Sequence, residues 1–201
     1  MRINNYKKVL IAVPTDRNVE IETFESIYNM FIPSNVITDI HFHRSYCIDI
    51  ARTQIARMAM EKGFDYILWI DSDMVVPKNA LESLLKRDKD IISGLASYKA
   101  LDCTHVVAKR HIKDFEYENL TIDEVFNSEN EVIEVDGVGF GVTLTKVEIF
   151  KNIKYPYFVF TEAVGEDIDF SRKAINAGYK LYIDNQVLCG HIGRINFEIK
   201  R

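Results

Sequence analysis

Two hydrophobic rhythms alternate along the chain: short continuous apolar runs, and longer stretches in which apolar residues return every three or four positions. Val9-Leu10-Ile11-Ala12-Val13 is a β-favouring run ended by Pro14-Thr15-Asp16, which predicts a strand buried on both faces and then a turn. Ile21, Phe24, Ile27, Tyr28 and Phe31 recur at helical spacing up to Pro33, and Asn35 to Phe42 reads as a second strand. The chain therefore opens β-α-β. From Ser45, a favourable N-cap, Ile48, Ala51, Ile55, Met58 and Ala59 mark one face of a helix that Gly63 is placed to close in a left-handed conformation. Tyr66-Ile67-Leu68-Trp69-Ile70 is a third buried strand running into Asp71-Ser72-Asp73, and Pro77 and Asn79 open a short helix through Lys86.

The second half is richer in strands. Ile91 to Tyr98 and His105 to His111 have strand character, while Lys113 to Asn130 is a polar, weakly patterned excursion with room for one short helix. Glu131 to Val135 reads as a strand. Gly137, Gly139 and Gly141 then alternate just ahead of Val142-Thr143-Leu144, where backbone must approach something closely or bulge. A helix from Glu166 to Ala177 is capped by Gly178, and Tyr179 to Ile183 is a last strand before Cys189-Gly190-His191. The pattern predicts an α/β fold with a mixed sheet, without repeats or linkers.

Length and charge narrow the picture. With 201 residues, 47% of them apolar, the chain is expected to form a single domain over residues 1–201 with a substantial core. A formal charge of -5 gives no general attraction to nucleic acid or anionic lipid, so a nucleic-acid partner is not expected. Cys47, Cys103 and Cys189 are far apart and lack disulfide-framework or zinc spacing, which fits a reducing compartment. The opening residues lead into an apolar run too short for a signal peptide, and no stretch has membrane-spanning length, so a soluble cytoplasmic protein without a transmembrane segment is expected.

Candidate chemistry gathers at a few acids and one histidine. Asp71 and Asp73 follow a buried strand, where open α/β sheets bind ligands, and their spacing lets a turn bring both carboxylates towards one cation; acids there also cap turns. Glu166 and Asp167 open a helix after Gly165, a position the helix dipole favours for any acid. Asp169 is placed to pair with Arg172 or Lys173 along the same helix. His191, flanked by Gly190 and Ile192, is presented as if to a ligand, whereas His41, His43, His105 and His111 alternate on strand-like segments and read as structural.

In combination and order, the strand ending in DSD, the VDGVGFG segment, the GEDIDFSRKAINAGYKLYID helix and strand and the glycine-flanked histidine resemble family 2-like, GT-A fold glycosyltransferases. The segment IDIARTQIARMAMEKGFDYILWIDSDM is similar to that family's helix and DxD strand, and the likeness runs from Val9 to Gly193. The resemblance implies a nucleotide-diphospho-sugar transferase fold: Rossmann-like, with a central mixed, mostly parallel sheet flanked by helices. It also implies a nucleotide-sugar donor, a UDP- or GDP-sugar before others, and a glycan or other hydroxyl acceptor. Asp73 and His191 would hold Mn²⁺, or Mg²⁺, with Asp71 reaching the metal through water or the ribose, and Ser72 beside the diphosphate. Pro14, Thr15, Asp16 and Asp39 would lie near the nucleoside, Asp16 and Asp39 competing to contact the base. Arg52 would reach a phosphate or orient Asp71. Asp167 would be the base of an inverting displacement, with Glu166 behind it or binding acceptor, while Gly139 to Gly141 admit a sugar close to the backbone. Since only Arg194 to Arg201 follow the histidine, the acceptor is expected to bind shallowly or with help from another subunit, for instance in a homo-oligomer.

Two alternatives come from other classes. A haloacid dehalogenase-like phosphatase would use Asp71 as nucleophile and Asp73 as acid/base, but that nucleophile ends the first strand of its domain and His191 would have no role. A GT-A-like domain that binds a nucleotide sugar or glycan without turnover is the other. A sugar nucleotidyltransferase is disfavoured because no glycine-rich phosphate loop follows the first strand.

Overall fold

A computed structural model describes residues 6–100 and 103–193. The sequence features at residues 1–5 and from Arg194 to Arg201 lie outside those described residues. Strand β1 (Lys7–Thr15) is followed by α1 (Ile21–Tyr28), β2 (Val36–Arg44), α2 (Ile48–Glu61), β3 (Tyr66–Ile70), β4 (Met74–Val75), α3 (Ala80–Lys86) and β5 (Ile91–Leu95). The second half contributes β6 (His105–Lys113), β7 (Glu116–Thr121), α4 (Ile122–Phe126), β8 (Val132–Val135), β9 (Gly137–Val138), β10 (Val142–Lys146), a 3-10 turn (Val147–Lys151), α5 (Glu166–Asn176), β11 (Leu181–Leu188) and β12 (Gly190–His191).

The main sheet has seven strands in the order β2-β1-β3-β10-β5-β11-β8. Strands β2, β1, β3, β5 and β11 run one way and β10 and β8 the other, so the sheet is mixed and mostly parallel. Because strand side chains alternate faces, each central strand feeds two cores. Leu10, Ala12, Ile67 and Trp69 meet Ile55 and Ala59 of α2 and Phe170 and Ala174 of α5 on one face. Val9, Ile11, Leu68 and Ile70 meet Ile27 of α1 and Leu81 and Leu84 of α3 on the other. Burial on both faces is why β1 and β3 are continuous apolar runs with no polar side. Around Trp69 the first core is aromatic: its ring lies edge-on to Phe140 at 5.7 Å and Phe158 at 5.6 Å, and its Nε1–H donates to Thr145 Oγ1 at 3.0 Å.

Several expectations shift in detail. Only part of the apolar repeat of α1 is buried: Ile27 turns inward together with Thr23, while Ile21, Phe24 and Tyr28 are exposed. The helix after Ser45 takes Cys47 as N-cap, and Ser45 Oγ instead donates to the Cys47 carbonyl. Gly63 and Gly178 do close α2 and α5 with φ of +69° and +89°. The strand begun at Ile91 stops at Leu95 because the chain leaves the sheet there; Ser97 then bridges to Val106 at the start of the β6–β7 hairpin. The polar excursion resolves into β7 and α4, whose Thr121 and Glu124 form a reciprocal capping box. No described helix is long and apolar enough to cross a membrane.

Candidate active site

The carboxyl ends of β1 and β3 form the crevice where the sheet order reverses: from β1 the chain crosses through α1 to β2 on one side, with β3 on the other. Asp71 leaves β3 there, its N–H donating to the Gly141 carbonyl at 2.9 Å, and Glu20 N–H donates to the Ser72 carbonyl at 2.9 Å. The DSD turn is thus tied on one side to the glycine turn before β10 and on the other to the loop after β1.

Arg52 holds the centre. It projects from α2, is 3% exposed, donates through Nη2 to Asp71 Oδ1 at 2.8 Å and through Nη1 to Glu166, and lies over the Phe140 ring at 5.3 Å. Burial opposes its charge, but Asp71 and Glu166 outweigh that and hold its pKa above the ordinary value. Glu166 and Asp167 begin α5. Burial raises the pKa of both carboxyls, and Arg52 pulls against it at each. Asp167 Oδ1 accepts the Ile168 N–H at 2.7 Å, folding the carboxylate back on the helix N-terminus. A Cβ on the N-cap Gly165 would lie 3.0 Å from that same oxygen, so glycine leaves the acid its place. Arg52, Asp71, Gly139, Glu166, Asp167 and His191 line one cavity of about 130 Å³. A larger hollow of about 900 Å³ lies at the opposite end of the strands, beside Lys7, Asn35 and Lys146, and holds none of these residues. Chemistry, not size, locates the site.

His191 reaches this crevice because β12 pairs antiparallel with β4, setting His191 opposite Met74, and Ile192 N–H donates to the Asp73 carbonyl at 2.8 Å. Its Nδ1 lies 3.0 Å from the Ser97 carbonyl oxygen. A carbonyl only accepts, so Nδ1 carries a proton, and Nε2, the nitrogen left to a ligand in the neutral ring, stands 3.7 Å from Asp73 Oδ1. The other Asp73 oxygen is paired with Lys99.

The three candidate residues fall into two groups. Asp71 is turned to Arg52 and Asp73 to His191 and Lys99, and among the described residues no group of three or more His, Cys, Asp or Glu side chains is arranged to hold a metal. The Asp73–His191 pair still fits a divalent cation: an imidazole locked in the ligating tautomer faces a carboxylate oxygen, and that carboxylate draws a cationic group, here Lys99. Asp39 sits mid-strand in β2 opposite Leu10, short of the carboxyl end where the crevice lies. Pro14 is the penultimate residue of β1, opposite His43. Thr15 and Asp16 do reach the strand end; Thr15 Oγ1 donates to the Asn18 carbonyl at 2.6 Å, and Arg44 Nε donates to the Asp16 carbonyl at 3.3 Å. Gly139 lines the cavity, but its missing side chain makes room for Val107 of β6 and not for a sugar. Asp169 pairs with Lys173 at 2.5 Å, the helix-surface role expected of it.

Sequence reasoning missed Lys99, the orienting Ser97 carbonyl, and Lys109, whose charge acts on Asp167. All three lie on the segment leaving β5 or on the hairpin, where no motif marks them. The dehalogenase-like alternative has lost its footing: Asp71 ends the third strand and its carboxylate is held by Arg52.

No known family model matches the chain. Among curated proteins it is 28% identical over 153 residues to the mannan polymerase I complex VAN1 subunit of Saccharomyces cerevisiae, a match covering 74% of this chain and 25% of that protein. The chain thus spans about a quarter of that relative's length. Among solved structures it is similar to A197 from STIV, with a TM-score of 0.64 at 21% identity, covering 94% of this chain and 86% of that one. It is also similar to GalNAc-T7, solved with UDP, GalNAc and Mn²⁺, with a TM-score of 0.66 at 16% identity over 96% of this chain and 45% of that one. The central sheet, its flanking helices and the match to a glycosyltransferase structure together establish a GT-A fold for this chain.

Proposed function

We propose that the protein is a metal-dependent glycosyltransferase that moves a sugar from a nucleotide-diphosphate donor to an acceptor hydroxyl, with inversion and with Asp167 as base. The observation that carries this is the meeting of Asp71, Arg52, Glu166, Asp167 and His191 around one cavity at the switch point of a GT-A sheet. The likeness to a structure holding UDP, GalNAc and Mn²⁺ supports a nucleotide-sugar donor and a divalent cation, and the likeness to a mannan polymerase subunit supports a glycan acceptor.

Asp73 and His191 are the residues that would hold the cation, an O,N pair that suits Mn²⁺ better than Mg²⁺, and the ion would supply positive charge to a departing diphosphate. Asp167 takes the proton of the acceptor hydroxyl as that oxygen forms its bond to the anomeric carbon and the bond from that carbon to the diphosphate oxygen breaks. Burial raises its pKa, which makes its carboxylate a stronger base than that of an exposed aspartate. Glu166 serves Arg52: the two carboxylates on the buried guanidinium fix the distance between the β3 turn and the start of α5. Thr15, Asp16 and Arg44, at the ends of β1 and β2, are placed to border the nucleoside.

A second reading, a nucleotide-sugar-binding subunit without turnover, draws on Lys99, whose ammonium already neutralises Asp73. Thermal-shift titration with UDP- and GDP-sugars, with and without Mn²⁺, followed by donor hydrolysis and transfer assays, separates the two. We expect a Mn²⁺-dependent rise in melting temperature that Asp73→Ala abolishes together with turnover. Asp167→Asn should keep the donor-induced shift and lose about 10²–10⁴-fold in turnover. Donor binding without turnover in the unaltered protein selects the second reading, and equal loss of donor binding in both variants overturns the division of roles.

A further inference from the structure

The helical repeat Ile21/Phe24/Tyr28, continued at Phe31, predicts α1 but is not used by the core: these four side chains are 61, 45, 77 and 46% exposed. Their direction follows from the helix's contacts. Ser26 Oγ accepts the Val76 N–H at 3.2 Å, so that flank of α1 faces the segment beyond β3. At about 100° per residue, Ile21, Phe24 and Tyr28 lie roughly 140–160° around the helix from Ser26. The sheet order β2-β1-β3 makes that opposite flank the one turned towards β2. Strand β2 is the outer edge of the sheet, paired with β1 without interruption from Val36 to Arg44 and, among the described residues, open along its other side. Val36 shares the core of Ile27 and Met30, so Ile40 and Phe42, at the same parity, stand on the α1 side of β2; they are 49 and 42% exposed. Exposed apolar side chains thus stand on both α1 and the edge strand. Edge strands are ordinarily blunted by lysine, proline or a bulge, and β2 has none of these.

We propose that this edge is an isologous interface with a second copy of the chain, β2 pairing antiparallel with β2 about a two-fold axis at Ile40. Ile40 is the central residue of the strand, so this register alone pairs all nine residues. Side-chain parity restricts a symmetric antiparallel pair to registers in which odd positions face odd and even face even. Centring on Ile40 sets Asp39 against His41 of the second copy twice over, Thr38 against Phe42 and Ile40 against itself. Centring one residue earlier would set two Asp39 carboxylates face to face, which disfavours that slip. The charged residue in the middle of the edge thus selects a register.

Sedimentation equilibrium of the full chain across the micromolar range should show a dimer. Ile40→Lys places two ammonium groups at the axis and should weaken it by about a hundredfold. His41→Asp should weaken it by about tenfold, and the exchange Asp39→His with His41→Asp should restore it, because the partners then swap without loss of complementarity. Asp39 and Ile40 are exposed and His41 is half-buried beside His43, its Nε2 3.2 Å from His43 Nδ1, so circular dichroism checks that each variant folds. Concentration-dependent slowing of amide exchange confined to residues 36–44 would add direct support. A monomer throughout, a dimer indifferent to Ile40→Lys, or a double exchange no tighter than His41→Asp alone overturns the proposal.

Discussion

Asp167 and Glu166 carry a cost that shows in the pH dependence of stability. Burial raises both pKa values, so the folded chain holds these protons to higher pH than the unfolded chain does. The resulting stability is complete below the ordinary carboxylate pKa and is lost as pH rises through the raised folded value. Asp167→Asn should therefore raise the melting temperature at pH 7 by about 2–4 °C, with the gain fading below about pH 4, as read by calorimetry at both pH values. A lower melting temperature at pH 7 would count against the burial argument. Which residues gather at the crevice was largely legible: Asp71, Asp73, Arg52, Glu166, Asp167 and His191 all stand there. Their partition was not, because a spacing of two does not say which carboxylate turns inward, and only the long reach of Arg52 from α2 decides that Asp71 does.

At the scale of elements, the β6–β7 hairpin leans on the glycine turn ahead of β10. A Cβ at Gly139 would strike Val107 Cγ1, and Val107 is held by Gly139 N–H donating to its carbonyl at 3.0 Å, so the hairpin cannot easily give way. Gly139→Ala should cost roughly 1–3 kcal/mol in chemical denaturation, and adding Val107→Ala should return most of it; a neutral Gly139→Ala would mean the hairpin moves freely. This hairpin was the least legible part of the chain. Helices α2 and α5 announce themselves through periodicity and closing glycines, and β1 and β3 through unbroken apolar runs. Strand β7 is polar and mostly exposed, so it pairs through backbone bonds that leave no hydrophobic mark. The apolar repeat of helix α1 marked the helix but only part of its buried face: Ile27 enters the core with Thr23, and Ile21, Phe24 and Tyr28 face outward.

For the whole molecule, the three thiols offer a gauge of cooperativity. Cys47 and Cys103 are exposed, whereas burial pushes the Cys189 thiol up to about 12, and its Sγ lies where a Cβ on Gly94 would fall. A thiol reagent at pH 8 should label two cysteines promptly and the third only as the fold opens, so the slow phase should follow the unfolding rate and accelerate with denaturant. Prompt labelling of all three would show that the end of β11 frays independently. Topology at this scale was only half legible. Alternating strands and helices imply a sheet, but nothing in the pattern of Val142 to Lys146 says that β10 inserts antiparallel between β3 and β5.

The two-residue pairing of β12 with β4 is small in area, yet it joins the middle of the polypeptide to its far end. Every strand of the main sheet precedes β12 in the chain. Both cores are built from residues up to Val187, so the imidazole is carried by a segment that neither core needs. Folding and the proposed grip on a cation are thus separable: a chain cut after Leu188 should keep its cores and lose the Mn²⁺-dependent response.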